Sequence, residues 1–338
     1  MDPLVSIIIT TYNHEKYIGE TLKSVFSQTY KEYEVIVVDD GSTDDTPNRI
    51  APFENRIHYI RQRNQGVASS RNSGIRVAKG RLLAFLDGDD LWDPEKLSVQ
   101  VEAAQRYPES GMIVVDGIEF SGNKILQPTL FKLCFDDLPD GSVMTGRCYY
   151  QLLCKNFILT TSQVMVPAEV LGRVGLSNKR FKGASDYDLY IRIAEKYEMT
   201  IIKKCLIRWR YLSTSVSGNR ETRNLRYLPE NIAILKNHLR EAREEDRPFI
   251  RQLLERKLSM AAENLYYYGR TFDRVWAAKN LLRLFLVSLN SIIVASFFIG
   301  LWLPSNITTK IGLTVRKIIR ERPLNSQSSQ SSIAEKIA

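Results

Sequence analysis

Three carboxylates follow a strand-length apolar run within four residues of the chain. Residues 82–86 are apolar and lead directly into Asp87, Gly88, Asp89 and Asp90. Carboxylates this close together repel one another, so a fold that gathers them at a strand end requires a compensating cation. Hard divalent ions such as Mg²⁺ take oxygen ligands, often one or two carboxylates together with phosphate oxygens of a ligand. Taken alone, the segment also fits a solvated acidic turn.

A second apolar run ends in the same way. Residues 34–38 lead into Asp39, Asp40 and Gly41. In open α/β sheets the ligand crevice lies beyond the carboxyl ends of the strands. Two acidic strand ends therefore predict a site for a metal-bound, phosphorylated ligand, although Asp39 and Asp40 alone also fit the entry to a β-turn.

Strands and helices alternate over the first third of the chain. Apolar runs predict strands over 4–10, 33–38, 57–60 and 82–86. Helical periodicity predicts helices over 14–27, 67–78 and about 94–107. This order implies a mostly parallel sheet with helices on both faces. Further along, strands are expected at 112–120, 163–166, 200–203 and 207–212, and a helix at 185–197.

The excess of basic residues lies in the C-terminal part of the chain. The net charge is +9, with 47 Lys/Arg and 38 Asp/Glu. Residues 1–220 hold 28 Lys/Arg and 27 Asp/Glu, and residues 221–338 hold 19 Lys/Arg and 11 Asp/Glu. No nucleic-acid-binding motif accompanies the charge, so an anionic membrane surface is a better partner than a nucleic acid. The four cysteines show no zinc-like spacing, which predicts free thiols in a reducing compartment.

Residues 284–303 form the longest apolar run, and no charge occurs between Arg283 and Lys310. About 20 residues can span a bilayer. Basic clusters flank both ends, however, and a single span would carry one of them across the membrane against the usual preference. We expect a re-entrant or interfacial helix that holds the chain at the cytoplasmic face of a membrane. The start of the chain, which enters a strand at once, predicts a cytoplasmic N-terminus. A hydrophobic helix buried against the N-terminal domain is the alternative.

Four motifs occur in the order and spacing of a known family. They are VSIIITTYN at 5–13, VVDDGSTD at 37–44, NQG at 64–66 with Ala68, Arg71, Asn72 and Gly74, and LDGDD at 86–90. On these residues the chain resembles the inverting, metal-dependent glycosyltransferases of family 2, over residues 4–220. The resemblance implies an α/β fold of GT-A type. In that fold a single Rossmann-like nucleotide-sugar domain with a mostly parallel central sheet precedes an α-helical C-terminal extension.

The resemblance implies roles for residues that would bind the sugar donor. Thr10 and Asp40 match residues that hold the uracil base or its ribose, and Tyr12 is a candidate stacking platform. Arg71 matches a basic residue that faces the diphosphate, where a guanidinium can bind with two hydrogen bonds. An ordinary solvated helix position is the plain alternative for Arg71.

The resemblance also implies a metal and a base. Asp87 and Asp89 match the family's DxD pair, in which the first tends to meet the ribose and the second the metal, here Mg²⁺ or Mn²⁺. Asp186 matches the catalytic carboxylate that takes the proton of the acceptor hydroxyl, and Asp188 is the second candidate. Asp90 is expected to support the turn. A simple N-terminal helix cap is the plain alternative for Asp186.

Two positions depart from the family pattern. Ser185 stands where relatives often have Glu, and Leu212 stands where they often have His. Leu212 cannot bind a metal or a phosphate, so such a role would pass to Arg208, Arg210 or water.

The implied function is transfer of a sugar from a nucleoside-diphosphate sugar, UDP-linked in this interpretation, to a saccharide or lipid-linked acceptor in the synthesis of cell-surface glycans. The expected domains are a catalytic domain over 1–220, a helical extension over 221–283, a membrane-associating segment over 284–325 and a disordered tail over 326–338.

A nucleotidyltransferase or a dehydrogenase would need a glycine-rich loop after the first strand, and residues 10–13 lack it. A catalytically degenerate nucleotide-sugar binder that scaffolds a membrane assembly remains the alternative.

Overall fold

The computed structural model describes residues 2–131, 134–135, 138–212, 227–271 and 277–282. The chain divides into two compact units, residues 1–216 and 217–338. The expected boundary at 220 falls between described stretches, so it stays a prediction. The segments predicted at 284–325 and 326–338 lie outside the described residues. Within the described residues, no helix combines the length and the apolar character needed to cross a bilayer.

The first unit is organised around one sheet, which has ten strands in the described residues. They are β1 (Val5–Thr11), β2 (Tyr33–Asp39), β3 (His58–Arg61), β4 (Leu82–Asp87), β5 (Leu91–Trp92), β6 (Ser110–Ser121), β7 (Lys124–Gln127), β8 (Val143–Gly146), β9 (Val164–Pro167) and β10 (Glu198–Arg210). Their order is β3-β2-β1-β4-β9-β6-β10-β5, with β7 beside β6 and β8 beside β10.

The parallel half of this sheet, β3-β2-β1-β4, carries the two acidic strand ends. Strand β1 pairs in parallel with both β2 and β4, and its Thr10 lies opposite Val38 on one side and Asp87 on the other. The carboxyl ends of β2 and β4 therefore lie at the same edge of the sheet, on either side of β1. The predicted mostly parallel central sheet is confirmed, and β9 enters it antiparallel between β4 and β6.

One predicted pair of strands is wrong in detail. The strands expected at 200–203 and 207–212 are a single strand, β10. Its register against β6 shifts between Ile202 and Cys205 and again between Cys205 and Ile207. These irregularities accommodate the polar Lys203 and Lys204, which interrupt the apolar pattern that the prediction used.

Seven α-helices of the first unit are described. They are α1 (Ile18–Phe26), α2 (Thr46–Ile50), α3 (Val67–Val77), α4 (Lys96–Arg106), α5 (Tyr149–Cys154), α6 (Ala168–Val174) and α7 (Ser185–Lys196). Helix α1 begins four residues later than predicted, and the residues before it form a turn in which the carbonyl of His14 accepts from the N–H groups of Tyr17 and Ile18. The second unit contains α8 (Leu228–Glu241) and α9 (Arg247–Thr271), which confirms a helical extension.

The core of the first unit surrounds β1, in which every residue is buried. A central parallel strand is covered on both faces, which explains why its sequence is almost continuously apolar. Helix α3 approaches this strand closely at Gly74, where an added Cβ would lie 2.5 Å from Cγ2 of Ile8. Helix α3 therefore packs directly on β1, and Arg71, one turn before Gly74, reaches Asp87 at the carboxyl edge of the sheet.

Candidate active site

The carboxylate of Asp87, at the end of β4, is the centre of a hydroxyl-rich cluster. Its Oδ1 accepts from Oγ1 of Thr161 at 3.3 Å, and its Oδ2 accepts from Oγ1 of Thr160 at 3.2 Å. Thr10 Oγ1 lies 3.5 Å from Oδ1 on the β1 side. Nη2 of Arg71 lies 3.7 Å from Oδ1 and also donates to Thr161 Oγ1 at 3.0 Å. Three chain segments therefore fix the orientation of a carboxylate that is still 32% exposed.

Asp89 lies two residues further on, and its side chain is 13% exposed. Nε2 of His14 is 4.0 Å from its Oδ2. Burial raises the pKa of Asp89, and the charge of Asp87 raises it further, against the opposing influence of His14 and Arg210. A cation beside Asp89 would relieve this cost, because it favours the ionised carboxylate.

The oxygen ligands at this edge of the sheet limit how a divalent ion could be bound. Among the described residues, no three His, Cys, Asp or Glu side chains are grouped as metal ligands. Within the described residues, the two carboxylates placed to bind such an ion are Asp87 and Asp89. Mg²⁺ is commonly bound by one or two carboxylates, with the remaining positions filled by substrate phosphates and water. The residues fit Mg²⁺ or Mn²⁺ on the condition that a ligand brings phosphate oxygens.

Asp90 supports the turn. It is fully buried, and its Oδ1 accepts from the backbone N–H of Arg210 at 2.9 Å. Its Oδ2 accepts from Ser162 Oγ at 2.6 Å, and Thr160 Oγ1 lies 3.1 Å from the same oxygen, so Asp87 and Asp90 share the Thr160 hydroxyl. Burial raises the pKa of Asp90 well above its ordinary value. With both oxygens engaged by the protein, Asp90 joins the DxD turn to the 160–162 segment and to the end of β10.

Arg210, the last residue of β10, contacts the same turn through its side chain. Its Nε donates to the carbonyl of Asp89 at 2.8 Å, and its Nη2 pairs with Glu20 of α1 at 2.8 Å. The guanidinium also lies over the rings of Tyr17 and Phe120, at 4.7 and 4.6 Å from their centroids. These contacts place Arg210 behind the DxD turn, where it positions Asp89.

The residues expected at the nucleoside lie at the same edge of the sheet. Tyr12, after β1, is 42% exposed and offers an open ring. Asp40, after β2, is buried and accepts from the N–H groups of Gln65 at 3.0 Å and Gly66 at 2.7 Å, and from Nε2 of Gln62 at 2.7 Å. Asp40 therefore shapes the loop into α3, and its direct contact with a base stays a prediction.

Asp186 lies in the first turn of α7. Its Oδ1 accepts from the backbone N–H of Tyr187 at 2.7 Å, within the first turn of α7. Burial raises its pKa, Arg71 opposes that shift, and Asp87 adds to it. These influences place Asp186 in the electrostatic surroundings of Arg71 and Asp87, although the three come from different parts of the chain.

Asp188, the second candidate for a base, forms an ion pair with Arg192. Its Oδ2 accepts from Nε of Arg192 at 3.0 Å and lies 2.8 Å from Nη2. Arg192 in turn donates to the carbonyls of Val174 and Leu176. This arrangement ties α7 to the segment after α6, so the geometry favours Asp186 as the reactive carboxylate.

The sequence analysis missed the 160–162 segment, although it supplies hydroxyl groups to both Asp87 and Asp90. A signal was present: Thr160-Thr161-Ser162-Gln163 has the spacing of a capping box. The structure shows that box. The Thr160 side chain accepts a backbone N–H at the start of the turn, and the Gln163 side chain accepts the backbone N–H of Thr160. What the sequence could not show is that the capped turn faces residues seventy or more positions away.

The hydroxyl of Thr161 leads to one prediction, because it contacts both Arg71 and Asp87. Replacing Thr161 with Val removes the hydroxyl and keeps the branched shape. We expect kcat/KM for the sugar donor to fall about tenfold, the equivalent of one hydrogen bond. Steady-state kinetics would measure this, with the exposed Thr29→Val as the matched control. Equal losses in both variants, or none in Thr161→Val, would contradict the assignment.

The chain is similar in sequence to several known proteins. The family model described as glycosyl transferase family 2 matches residues 6–158. The Escherichia coli protein WfaP, named UDP-Glc:alpha-D-GlcNAc-diphosphoundecaprenol beta-1,3-glucosyltransferase, is 47% identical over 197 residues, 57% of this chain and 71% of WfaP. The putative teichuronic acid biosynthesis glycosyltransferase TuaG of Bacillus subtilis is 30% identical over 229 residues, 64% of this chain and 83% of TuaG.

Further matches show how much of its relatives' length this chain covers and which solved fold it resembles. This chain spans between 30% and 61% of the length of five uncharacterized glycosyltransferases from Rickettsia species. The crystal structure of S. aureus TarS 1-349 in complex with UDP-GlcNAc superposes with a TM-score of 0.62 at 17% identity, covering 95% of this chain and 93% of that one. At this identity the likeness concerns the fold, and it agrees with the mixed α/β sheet and the helices that follow it.

Proposed function

The chain belongs to glycosyl transferase family 2, and from that premise we propose that it transfers a sugar from a UDP-sugar to an acceptor hydroxyl, with a divalent metal and with inversion. One observation carries the proposal: at the carboxyl edge of the parallel strands Arg71 lies 3.7 Å from Asp87, Asp89 follows two residues later, and Asp186 feels the charges of Arg71 and Asp87. The arrangement supplies metal-binding carboxylates, a cation for the diphosphate and a separate carboxylate for the proton.

Each group has a distinct task in the proposed reaction. Asp186 accepts the proton of the acceptor hydroxyl while the oxygen of that hydroxyl attacks the anomeric carbon. The bond from that carbon to the diphosphate breaks on the opposite face. The N-terminus of α7 favours the ionised form of Asp186, while burial raises its pKa towards a value useful for a base. Arg71, oriented by Thr161, faces the diphosphate. Asp89 and Asp87 would hold the divalent ion, which supplies positive charge to the leaving diphosphate when bound.

The choice of donor and acceptor draws on the relatives. The name of WfaP describes transfer from UDP-Glc to a lipid-linked GlcNAc diphosphate, and TarS was crystallised with UDP-GlcNAc. The name of TuaG refers to teichuronic acid biosynthesis. These support a UDP-linked hexose as donor, a saccharide on a lipid diphosphate as acceptor, and a role in cell-surface polysaccharide synthesis.

A panel of nucleotide sugars tests the proposal. Purified protein with Mn²⁺ is incubated with UDP-Glc, UDP-GlcNAc or GDP-Man, with and without GlcNAc-diphospholipid, and released nucleotide and glycolipid are measured. We expect a UDP-sugar to support acceptor-dependent UDP release. Tight UDP binding without turnover of any donor would favour the degenerate scaffold, and absence of UDP binding would contradict both.

We also propose a location at the cytoplasmic face of a membrane. The support is the apolar segment 284–303 between two basic flanks and the lipid-linked acceptor in the name of WfaP. The segment lies outside the described residues. A cysteine introduced at Ser326 is expected to react with a membrane-impermeant reagent from the cytoplasmic side of sealed vesicles. Reaction only from the other side would establish a true span and contradict the re-entrant arrangement.

A further inference from the structure

The hydroxyl of Tyr190 is buried and lacks a hydrogen-bond partner in the part of the chain that the structure describes. The whole side chain is 2% exposed. An unsatisfied buried hydroxyl has lost its hydrogen bonds to water without replacement, so it destabilises the folded state. Such groups are rare in native proteins, and each one calls for an explanation.

The position of Tyr190 connects this hydroxyl to the candidate active site. Tyr190 follows Asp186 by four residues on α7, and residues at this spacing lie on the same face of a helix. Its electrostatic surroundings include Asp186, Arg71 and Asp87. Burial raises the pKa of Tyr190 well above its ordinary value, so the hydroxyl keeps its proton and stays a hydrogen-bond donor.

Among these three neighbours, Asp186 is the acceptor best suited to the hydroxyl. Arg71 has only donors on its guanidinium. Asp87 lies on another element, with its oxygens facing the hydroxyls of Thr160 and Thr161, whereas Asp186 is one helical turn from Tyr190 on the same face of α7. Oδ1 of Asp186 accepts from the N–H of Tyr187 in its own turn, and a carboxylate has capacity for several further hydrogen bonds.

We propose that Tyr190 is a positioning residue for the base: when ligands fill the site, Asp186 rotates to accept the Tyr190 O–H and presents its other oxygen to the acceptor hydroxyl. This inference rests on the proposed function. It accounts for a hydroxyl that has no partner among the described residues, because the hydrogen bond forms once ligands fill the site. Such a bond fixes the orientation of the carboxylate that takes the proton, so we expect its loss to lower kcat.

The same helix provides a matched control. Tyr187 is also buried, but its hydroxyl donates to the carbonyls of Leu152 and Leu153 at 3.0 and 3.3 Å. The Tyr-to-Phe change removes one oxygen at either position. At Tyr187 it leaves two carbonyls without their donor, whereas at Tyr190 it removes an unpaired group.

The test compares Tyr190→Phe and Tyr187→Phe for melting temperature, UDP affinity, donor KM and kcat. We expect Tyr190→Phe to melt at or above the wild-type temperature and to keep its UDP affinity and KM. Its kcat should fall about ten- to a hundredfold, the effect of one hydrogen bond to a charged group. Tyr187→Phe should melt lower and keep its kcat while folded.

Two results would overturn the inference. One is a Tyr190→Phe enzyme whose kcat stays within twofold of the wild-type value. The other is a fall in melting temperature as large as that of Tyr187→Phe, which would show that the hydroxyl has a structural partner. In both cases an active wild-type enzyme leaves the proposed function intact. A wild-type protein that transfers no sugar from any donor would overturn the proposed function and this inference together.

Discussion

Replacing Asp186 with Asn is expected to lower kcat by about 10²–10⁴, because the amide keeps the shape of the carboxylate but cannot accept the proton. UDP affinity should hardly change, since Asp186 is assigned to the acceptor hydroxyl and not to the nucleotide. Steady-state kinetics and a UDP titration on the same preparation measure the two effects. The pH profile offers a second readout: the base works only when ionised, so wild-type kcat should fall as the pH drops through the raised pKa of Asp186.

Asp188→Asn is the matched control for this variant. Asp188 is paired with Arg192, so the loss of its charge should lower the free energy of unfolding by about 1–3 kcal/mol. Its kcat should stay near the wild-type value at temperatures where the variant is folded. If Asp188→Asn loses kcat and Asp186→Asn does not, the base has been assigned to the wrong carboxylate.

Replacing Asp89 with Ala is expected to lower transfer by about a thousandfold or more, because the metal would lose its main protein ligand. Metal ions contribute several kcal/mol of charge stabilisation in such reactions, which corresponds to this factor. The variant should also lose the dependence of its residual activity on Mn²⁺ concentration. UDP release at a series of Mn²⁺ concentrations would measure both effects.

Asp93→Ala provides the control, since Asp93 is an exposed carboxylate four residues further along the chain. It should keep both its activity and its metal dependence. Full wild-type activity in the presence of excess chelator would contradict the proposed role of Asp89 and the metal.

The parallel strands and their acidic ends could be predicted because they follow from local patterns. A run such as 82–86 is apolar throughout, and parallel strands place their carboxyl ends at one edge. The register then brings Asp87 beside Thr10 and across β1 from the end of β2. The helix that begins at Ser185 was also predictable from its periodicity, and it carries Asp186 at its first turn.

The partners of these carboxylates could not be predicted in the same way. Thr161 meets Asp87 across 74 positions, and Arg210 meets Asp89 across 121. Such contacts depend on how β9 and β10 join the sheet, and no local pattern reports that. His14 is a similar case, because the prediction placed it within a helix, whereas a turn brings it to 4.0 Å from Asp89.

The most direct measurement of the central claim is a calorimetric titration of UDP into the protein, with and without Mn²⁺, for the wild type, Asp89→Ala and Asp186→Asn. We expect the wild type to bind UDP more tightly with Mn²⁺, Asp89→Ala to lose that gain and Asp186→Asn to retain it. Identical UDP binding by all three proteins with and without Mn²⁺ would contradict a metal-dependent UDP-sugar site at this edge of the sheet.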